Sequence, residues 1–298
     1  MSVAVAQEFA LRVRREEPMS RHTSWHVGGA AEVFFHPRAR AELAAFLRTL
    51  ADDVPIQWVG LGSNLLVRDG GLKGVVISTH GTLDRLDQLS QTDVYGEAGV
   101  ACARVAKQCV KWGLGPAEFF AGIPGTLGGA LAMNAGAFGG ETWRHVVTVE
   151  TIDRRGQEHT RAAGEFNVSY RQVTPPVPEE WFVAAKLSFE RSPGVNEAQV
   201  RELLERRKAS QPIGEWSCGS VFTNPPGDHA ARLIDTAGLK GLRIGGASVS
   251  RKHANFMINH GQATAADLER LIQHVQDTVE RVHGVRLHPE VRVVGEAA

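Results

Sequence analysis

Residues 122–140, GIPGTLGGALAMNAGAFGG, carry seven glycines, four alanines and no charged side chain. No ordinary strand or helix of a packed core is built this way. Glycine loses more conformational freedom on ordering than any other residue and offers neighbours nothing to pack against. A chain that keeps so many together needs positive φ angles, or needs another main chain or a ligand to come close. Two earlier stretches, HTSWHVGG (22–29) and GLGSNLLV (60–67), mix glycine with small hydroxyl and amide residues in the same manner. Successive main-chain N–H groups in such loops make a concave anion site. Ser24, Ser63, Asn64, Thr126 and Asn134 can add side-chain donors. Any one loop reads as readily as a tight turn; three in the first half suggest a long ligand with a pyrophosphate in its middle. Neither G-x-G-x-x-G between strand and helix nor G-x-x-x-x-G-K-[ST] is present, which sets aside the Rossmann and P-loop folds. The residues by themselves lead to a phosphorylated cofactor and stop there.

The 298 residues exceed what one hydrophobic core usually supports, so two or three domains are expected. Lys and Arg total 33 and Asp and Glu total 33. That balance gives no reason to expect nucleic acid or a membrane surface as partner. Three cysteines, Cys102, Cys109 and Cys218, form an odd set without C-x-x-C. Neither a disulfide framework nor a zinc site is indicated. Cys102 and Cys109 stand seven apart, on one face of an expected helix, as small buried apolar side chains would. A reducing cytoplasm suits them. The first residues, MSVAVAQEFALRVRREEP, become charged too soon for a signal peptide, and no apolar run is long enough to cross a bilayer. His253 and His260 have too few neighbouring ligand types for a metal and are expected to be structural.

Along the chain, Leu43, Phe46, Leu47 and Leu50 predict a helix over 39–53, flanked by strand-like AEVFFHP, IQWVGLG and GVVIST. A second helix is predicted over 99–115, closed by Gly113 and Gly115. The segment 145–160 alternates and turns at Arg155-Gly156, which predicts a hairpin, and 181–190 reads as a strand. A helix over 196–210 has Asn196 as N-cap and Glu202–Arg206 at i,i+4. The clearest helix, 264–284, is capped by Thr264 and Asp267, carries an apolar stripe from Leu268 to Val282, and stops at Gly284. An extended strand tail, 285–295, follows. This irregular alternation is an α+β or mixed α/β pattern.

In order along nearly the whole chain, TSWHVGG (23–29), GLGSNLLV (60–67), GIPGTLGGALAMNAGAFG (122–139), SYR (169–171), GSVFTNP (219–225), HANFMINHGQATAADL (253–268) and HPEVR (288–292) resemble one family, UDP-N-acetylenolpyruvoylglucosamine reductase, the MurB flavoproteins. Any single match is weak; the ordered set is highly specific. The resemblance implies an α+β fold: a vanillyl-alcohol-oxidase-like two-part FAD-binding region plus an α/β substrate-binding C-terminal domain. The implied division is 1–82 and 83–192 for the two FAD-binding subdomains and 193–285 for the substrate domain, with 286–298 packing back on the first. SYR passes directly to the next strand with no insertion, which resembles the shorter type II form; the site-closing tyrosine of the longer form is then missing.

The resemblance further implies non-covalent FAD, NADPH as co-substrate and a UDP-sugar carrying an enolpyruvyl ether as substrate, with no membrane, nucleic acid or obligate protein partner and a cytoplasmic location. It assigns the catalytic roles to Arg171, Ser220 and Glu290. Arg171 is permanently charged and suits stabilisation of an enolate. Ser220 would protonate C2, and Glu290 would assist at the carboxylate end or in proton delivery. Tyr170, Lys208 and Asn224 match substrate contacts. The cofactor contacts fall on Ser24, Gly60, Gly62, Ser63, Asn64, Gly122, Gly125, Thr126, Gly128, Gly129, Asn134 and Gly136, and no metal is implied. His22, Val173 and Thr223 depart from the residues the family commonly carries there. A flavin oxidase would share the loops at 60–67 and 122–139 without needing SYR, GSVF and HPEVR together. A nucleotide-sugar binding protein that has lost catalysis would not need the intact trio.

Overall fold

The computed structural model describes residues 3–298. The chain folds into two compact units, neither of them a continuous segment. One takes residues up to 14 with 34–61 and 74–206; the other takes 15–33, 62–73 and 207–298. The changes at 14/15, 33/34 and 73/74 fall inside the strands Val13–Pro18, Ala30–Phe35 and Leu72–Ser78.

In the first unit, helix α1 (Arg40–Leu47) buries Leu43, Phe46 and Leu47. Phe46 stacks on Phe35 with ring centroids 3.9 Å apart, and Phe9 meets both edge-on. Strand Ile56–Val59 follows and pairs in parallel with Leu72–Ser78, Ile56 opposite Val75. The larger sheet of this unit is antiparallel, in the order Glu158–Ala162, Val146–Asp153, Glu180–Ser188, Asp93–Glu97, Leu86–Gln88. Its first two strands are the expected hairpin. Helix α2 (Cys102–Lys111) turns Cys102, Val105, Ala106, Cys109 and Val110 inward, the i, i+3, i+4, i+7 spacing of one helical face. Both cysteines are therefore core, and burial pushes both thiols up. Helix α3 (Leu127–Met133) sends Leu127, Ala130 and Leu131 into the same core, beside Phe119, Phe120, Leu187 and Phe189.

Helix α4 (Glu197–Ser210) begins as expected, with Asn196 Oδ1 accepting the N–H groups of Ala198 and Gln199 and an Arg206–Glu202 ion pair one turn apart. In the second unit, helix α5 (Ala230–Thr236) and helix α6 (Ala265–His283) enclose a core of Leu233, Ile234, Leu268, Leu271, Ile272 and Val275, which also takes Trp25, Val27 and Leu66 from early in the chain. A three-stranded antiparallel sheet, Arg243–Ile244, Ala247–Val249 and Met257–Asn259, lines it. The strand Arg292–Val294 lies parallel to Leu65–Val67, with Val293 opposite Leu66. Among the described residues no helix is long and apolar enough to cross a membrane.

Candidate active site

In the first unit the glycine-rich stretch is laced to residues 98–102. The amides of Leu127 and Gly128 bond the carbonyls of Val100 and Ala98 at 2.8 and 2.9 Å, and Cys102 N–H bonds Gly125 O at 2.9 Å. Thr126 starts α3 and its Oγ1 accepts Gly129 N–H at 3.4 Å. Asn134 ends α3 in the left-handed region, φ 47°.

The room left by the absent side chains is taken up first by the chain itself. A Cβ on Gly60 would stand 2.4 Å from Thr126 Oγ1; on Gly122, 2.6 Å from Ala137 Cβ; on Gly128, 2.8 Å from Ala98 Cβ; on Gly136, 2.2 Å from Gly140 O. Gly129 is different, since a Cβ there would have its nearest neighbour at 3.7 Å.

Arg171 lies in this unit, at the tip of a small hairpin. The strands Asn167–Ser169 and Gln172–Thr174 pair with Ser169 opposite Gln172, so Tyr170 and Arg171 are the whole loop. Arg171 sits at φ 58°, a position that glycine takes most cheaply in such loops. Its guanidinium donates to Asn134 O at 3.1 Å and to Gly136 O at 2.9 Å, and it stands 5.0 Å from the Tyr170 ring centroid. Tyr170 is exposed. Val173, where the resemblance led one to look for serine, pairs with Val168 and packs on the core.

The second unit holds HTSWHVGG and the second loop from Gly62 onward, and it joins them. Ser24 N–H bonds Gly62 O at 3.2 Å, and a Cβ on Gly62, whose φ is +62°, would lie 1.9 Å from His22 O. His22 contributes its ring as well, 2.7 Å from the buried Glu17 carboxylate. Asn64 Nδ2 donates to Glu290 O at 3.0 Å.

Ser220 and Glu290 come together here. Glu290 N–H bonds Val221 O at 2.7 Å, Phe222 bridges Pro289, and Thr223 uses both its amide and its hydroxyl on His288 O. The segment HPEVR thus runs against GSVF. Ser220 follows Gly219, at φ 81° with nothing within 4 Å of the position its Cβ would take. Cys218, two residues before Ser220, is buried, and burial together with the negative charge of Glu290 pushes its thiol well above the ordinary range. No sequence signal announced that neighbour. Of the expected substrate contacts, Asn224 spends its Oδ1 on Ala230 N–H at 3.1 Å at the head of α5, and Lys208 is exposed near the end of α4, its carbonyl taken by Lys252 Nζ. His260 bonds Ser248 Oγ at 2.8 Å, and His253 packs edge-on against Phe256.

A dinucleotide held by main chain and hydroxyls is compatible with one further feature of the second unit. Ser24 Oγ is buried and has no hydrogen-bond partner among the described residues. Burying a hydroxyl without a partner costs on the order of 1–3 kcal/mol, and an oxygen-rich ligand would remove that cost.

Residues 31–161 match the family described as FAD binding domain, and residues 211–294 match UDP-N-acetylenolpyruvoylglucosamine reductase, C-terminal domain. The chain is 60% identical over 288 residues to the UDP-N-acetylenolpyruvoylglucosamine reductase of Alkalilimnicola ehrlichii, covering 96% of this chain and 95% of that one. To the enzyme of the same description from Methylococcus capsulatus it is 55% identical, over 94% and 92% of the two chains. The crystal structure of the MurB reductase from Thermus caldophilus aligns at a TM-score of 0.79 with 31% identity, over 98% of this chain and 99% of that one. The fold class expected from the sequence is borne out at full length. The chain belongs to the UDP-N-acetylenolpyruvoylglucosamine reductase family.

Proposed function

We propose that this chain reduces the enolpyruvyl ether of UDP-N-acetylglucosamine-enolpyruvate to UDP-N-acetylmuramate, a peptidoglycan precursor, with NADPH as donor and non-covalent FAD. The observation that carries the reading is 60% identity to a named reductase over 96% of the chain. FAD, held by the glycine-rich loops, would supply two-electron redox chemistry between NADPH and the enol ether. The balance is one hydride to C3 and one proton to C2. Negative charge develops at C2 and on the adjacent carboxylate between the two events.

The chain's own residues answer those demands. Arg171 carries a fixed positive charge and donors in a rigid fork, suited to hold the developing charge and unsuited to give up a proton. Ser220 gives its hydroxyl proton to C2; a serine is a weak acid, but an enolate carbon is a strong base. Glu290, on the segment bonded to Val221, assists proton delivery or orients the carboxylate. The Cys218 thiol stays protonated at neutral pH because burial and Glu290 both oppose its charge. Tyr170, Lys208 and Asn224 contact the UDP-sugar, with Lys208 a point charge for diphosphate. Ser24, Gly60, Gly62, Ser63, Asn64, Gly122, Gly125, Thr126, Gly128, Gly129, Asn134 and Gly136 belong to the FAD-binding loops, and the three-part division at 82, 192 and 285 follows the same reading. A cytoplasmic location, with no obligate protein partner, completes it.

The deciding experiment is a turnover assay of the FAD-loaded protein with NADPH and the enolpyruvyl UDP-sugar. Stoichiometric NADPH oxidation with UDP-N-acetylmuramate as product supports the reading. Flavin that NADPH reduces but only oxygen reoxidises would make the chain an oxidase instead.

A further inference from the structure

We propose that Asn134 is the positioning residue for Arg171, setting the direction of the guanidinium for the reaction; this rests on the reductase reading above. Asn134 is buried, 2% exposed, and grips the arginine at two places. Its main-chain carbonyl accepts Arg171 Nη1 at 3.1 Å, beside Gly136 O, which accepts Nη2 at 2.9 Å. Its side-chain Nδ2 donates to Ser169 O at 3.1 Å, two residues before Arg171 at the root of the same hairpin. One residue therefore holds both the head of the arginine and the strand that carries it.

The grip depends on a backbone shape and a side chain together. At φ 47° and ψ 54°, Asn134 ends α3 in the left-handed region, which turns its carbonyl out of the helical ladder. Asparagine is among the few residues besides glycine that accept this conformation cheaply. Glycine would supply the shape without the amide. Aspartate would supply an acceptor without the donor, and would set a negative charge near Glu141, whose Oε2 lies 3.4 Å from Nδ2. The residue is itself fixed: Oδ1 accepts Trp143 N–H at 3.1 Å, and the Trp143 indole N–H is tied to Leu131 O of α3 at 2.7 Å. Arg171 meanwhile occupies a left-handed position of its own, φ 58°. A strained loop residue with two of its donors on fixed carbonyls is a preorganised charge, the arrangement that makes electrostatic stabilisation effective.

The test uses the FAD-loaded protein and the two half-reactions. At full FAD occupancy, Asn134→Gly should slow flavin reoxidation by the enolpyruvyl UDP-sugar by about 10–100-fold more than it slows flavin reduction by NADPH. In an Arg171→Lys background, where a compact ammonium replaces the planar fork whose direction Asn134 sets, the same substitution should cost less than about threefold, because coupled residues are not additive. Equal slowing of both half-reactions, or fully additive losses, would overturn the proposal. Should Asn134→Gly fail to fold, Asn134→Asp keeps the bond to Trp143 and is read by the same criteria. A third measurement does not depend on the reaction. The side-chain 15N resonance of Arg171, assigned through Arg171→Lys, should lose its dispersion in Asn134→Gly; an unchanged resonance rejects positioning even if the wild-type protein proves not to be a reductase. A wild-type failure in turnover with a shifted resonance would instead sink the functional reading alone.

Discussion

Ser220 stands next to a glycine turn, whereas Arg171 occupies a left-handed turn position itself. Ser220 follows Gly219, which stands at φ 81°, and its proposed role is proton donation. Ser220→Ala should leave flavin reduction by NADPH intact and slow reoxidation by the UDP-sugar by about 10²–10⁴-fold, the range for a positioned proton donor. Stopped-flow of both half-reactions checks it, and equal damage to both would exclude a donor role. Arg171 instead occupies a position that a glycine would take without strain. In Arg171→Gly, relief of the left-handed conformation offsets two lost hydrogen bonds and a more flexible unfolded chain. Stability should change by less than about 1 kcal/mol, while substrate-driven reoxidation falls by about 10²-fold or more. A denaturant titration beside the kinetics separates the two effects; a large loss of stability would mean that the arginine serves the fold.

Helix α6 shows how much an element can announce in its residues. Thr264 Oγ1 accepts Asp267 N–H at 3.1 Å, and Asp267 Oδ2 accepts Thr264 N–H at 3.2 Å, the reciprocal cap its sequence predicts. The structure adds what the sequence could not contain: Asp267 also takes Gly246 N–H at 3.1 Å and Arg270 at 2.6 Å. Burial favours the neutral carboxyl, but these N–H groups and Arg270 outweigh it, and Asp267 titrates below the ordinary carboxylate range. A depressed folded value means that the contribution is complete above about pH 4 and is lost as pH falls through the depressed value. Asp267→Ala should therefore cost about 1–2 kcal/mol at pH 7, and urea titrations should show its gap to wild type closing in acid; a gap independent of pH would contradict the ionic account. Elements lacking such caps were less legible. The helix foreseen over 39–53 stops at Leu47, because Thr49 turns its hydroxyl onto Phe46 O at 2.7 Å and competes with the ladder. The tail foreseen as strand over 285–295 becomes a strand only at Arg292–Val294, opposite the three residues Leu65–Val67, and before that makes a single bridge, Pro289 to Phe222.

For the whole molecule, local patterns could name the pieces but not their allocation. Ser220 and Glu290 stand seventy residues apart in sequence and are brought near each other in the second unit because Glu290 N–H donates to Val221 O, with the Phe222–Pro289 bridge and the Thr223–His288 bonds beside it. The glycine loops were legible as sites of close approach; that the approaching atoms are Thr126 Oγ1, Ala98 and His22 O was not, because no periodicity encodes a non-local contact. The same allocation decides whether the C-terminal part can stand alone. The sequence sets apart a C-terminal domain at 193–285, and in the structure the C-terminal segment of the second unit is 207–298. Its core, however, includes Trp25, fully buried with its indole N–H on Met257 O at 2.8 Å, together with Val27 and Leu66. Its last strand would lose Leu65–Val67, and Asn259 Nδ2 would lose Trp25 O, which it now bonds at 2.7 Å. Removing a buried tryptophan alone costs about 3–5 kcal/mol, against a typical total stability of about 5–15 kcal/mol for a whole domain. The isolated 207–298 fragment should accordingly lack a cooperative thermal transition by circular dichroism, and adding the residues 15–33 and 62–73 on a linked chain should restore one. A sharp transition in the fragment alone would show that the early segments are accessories to a core sufficient without them.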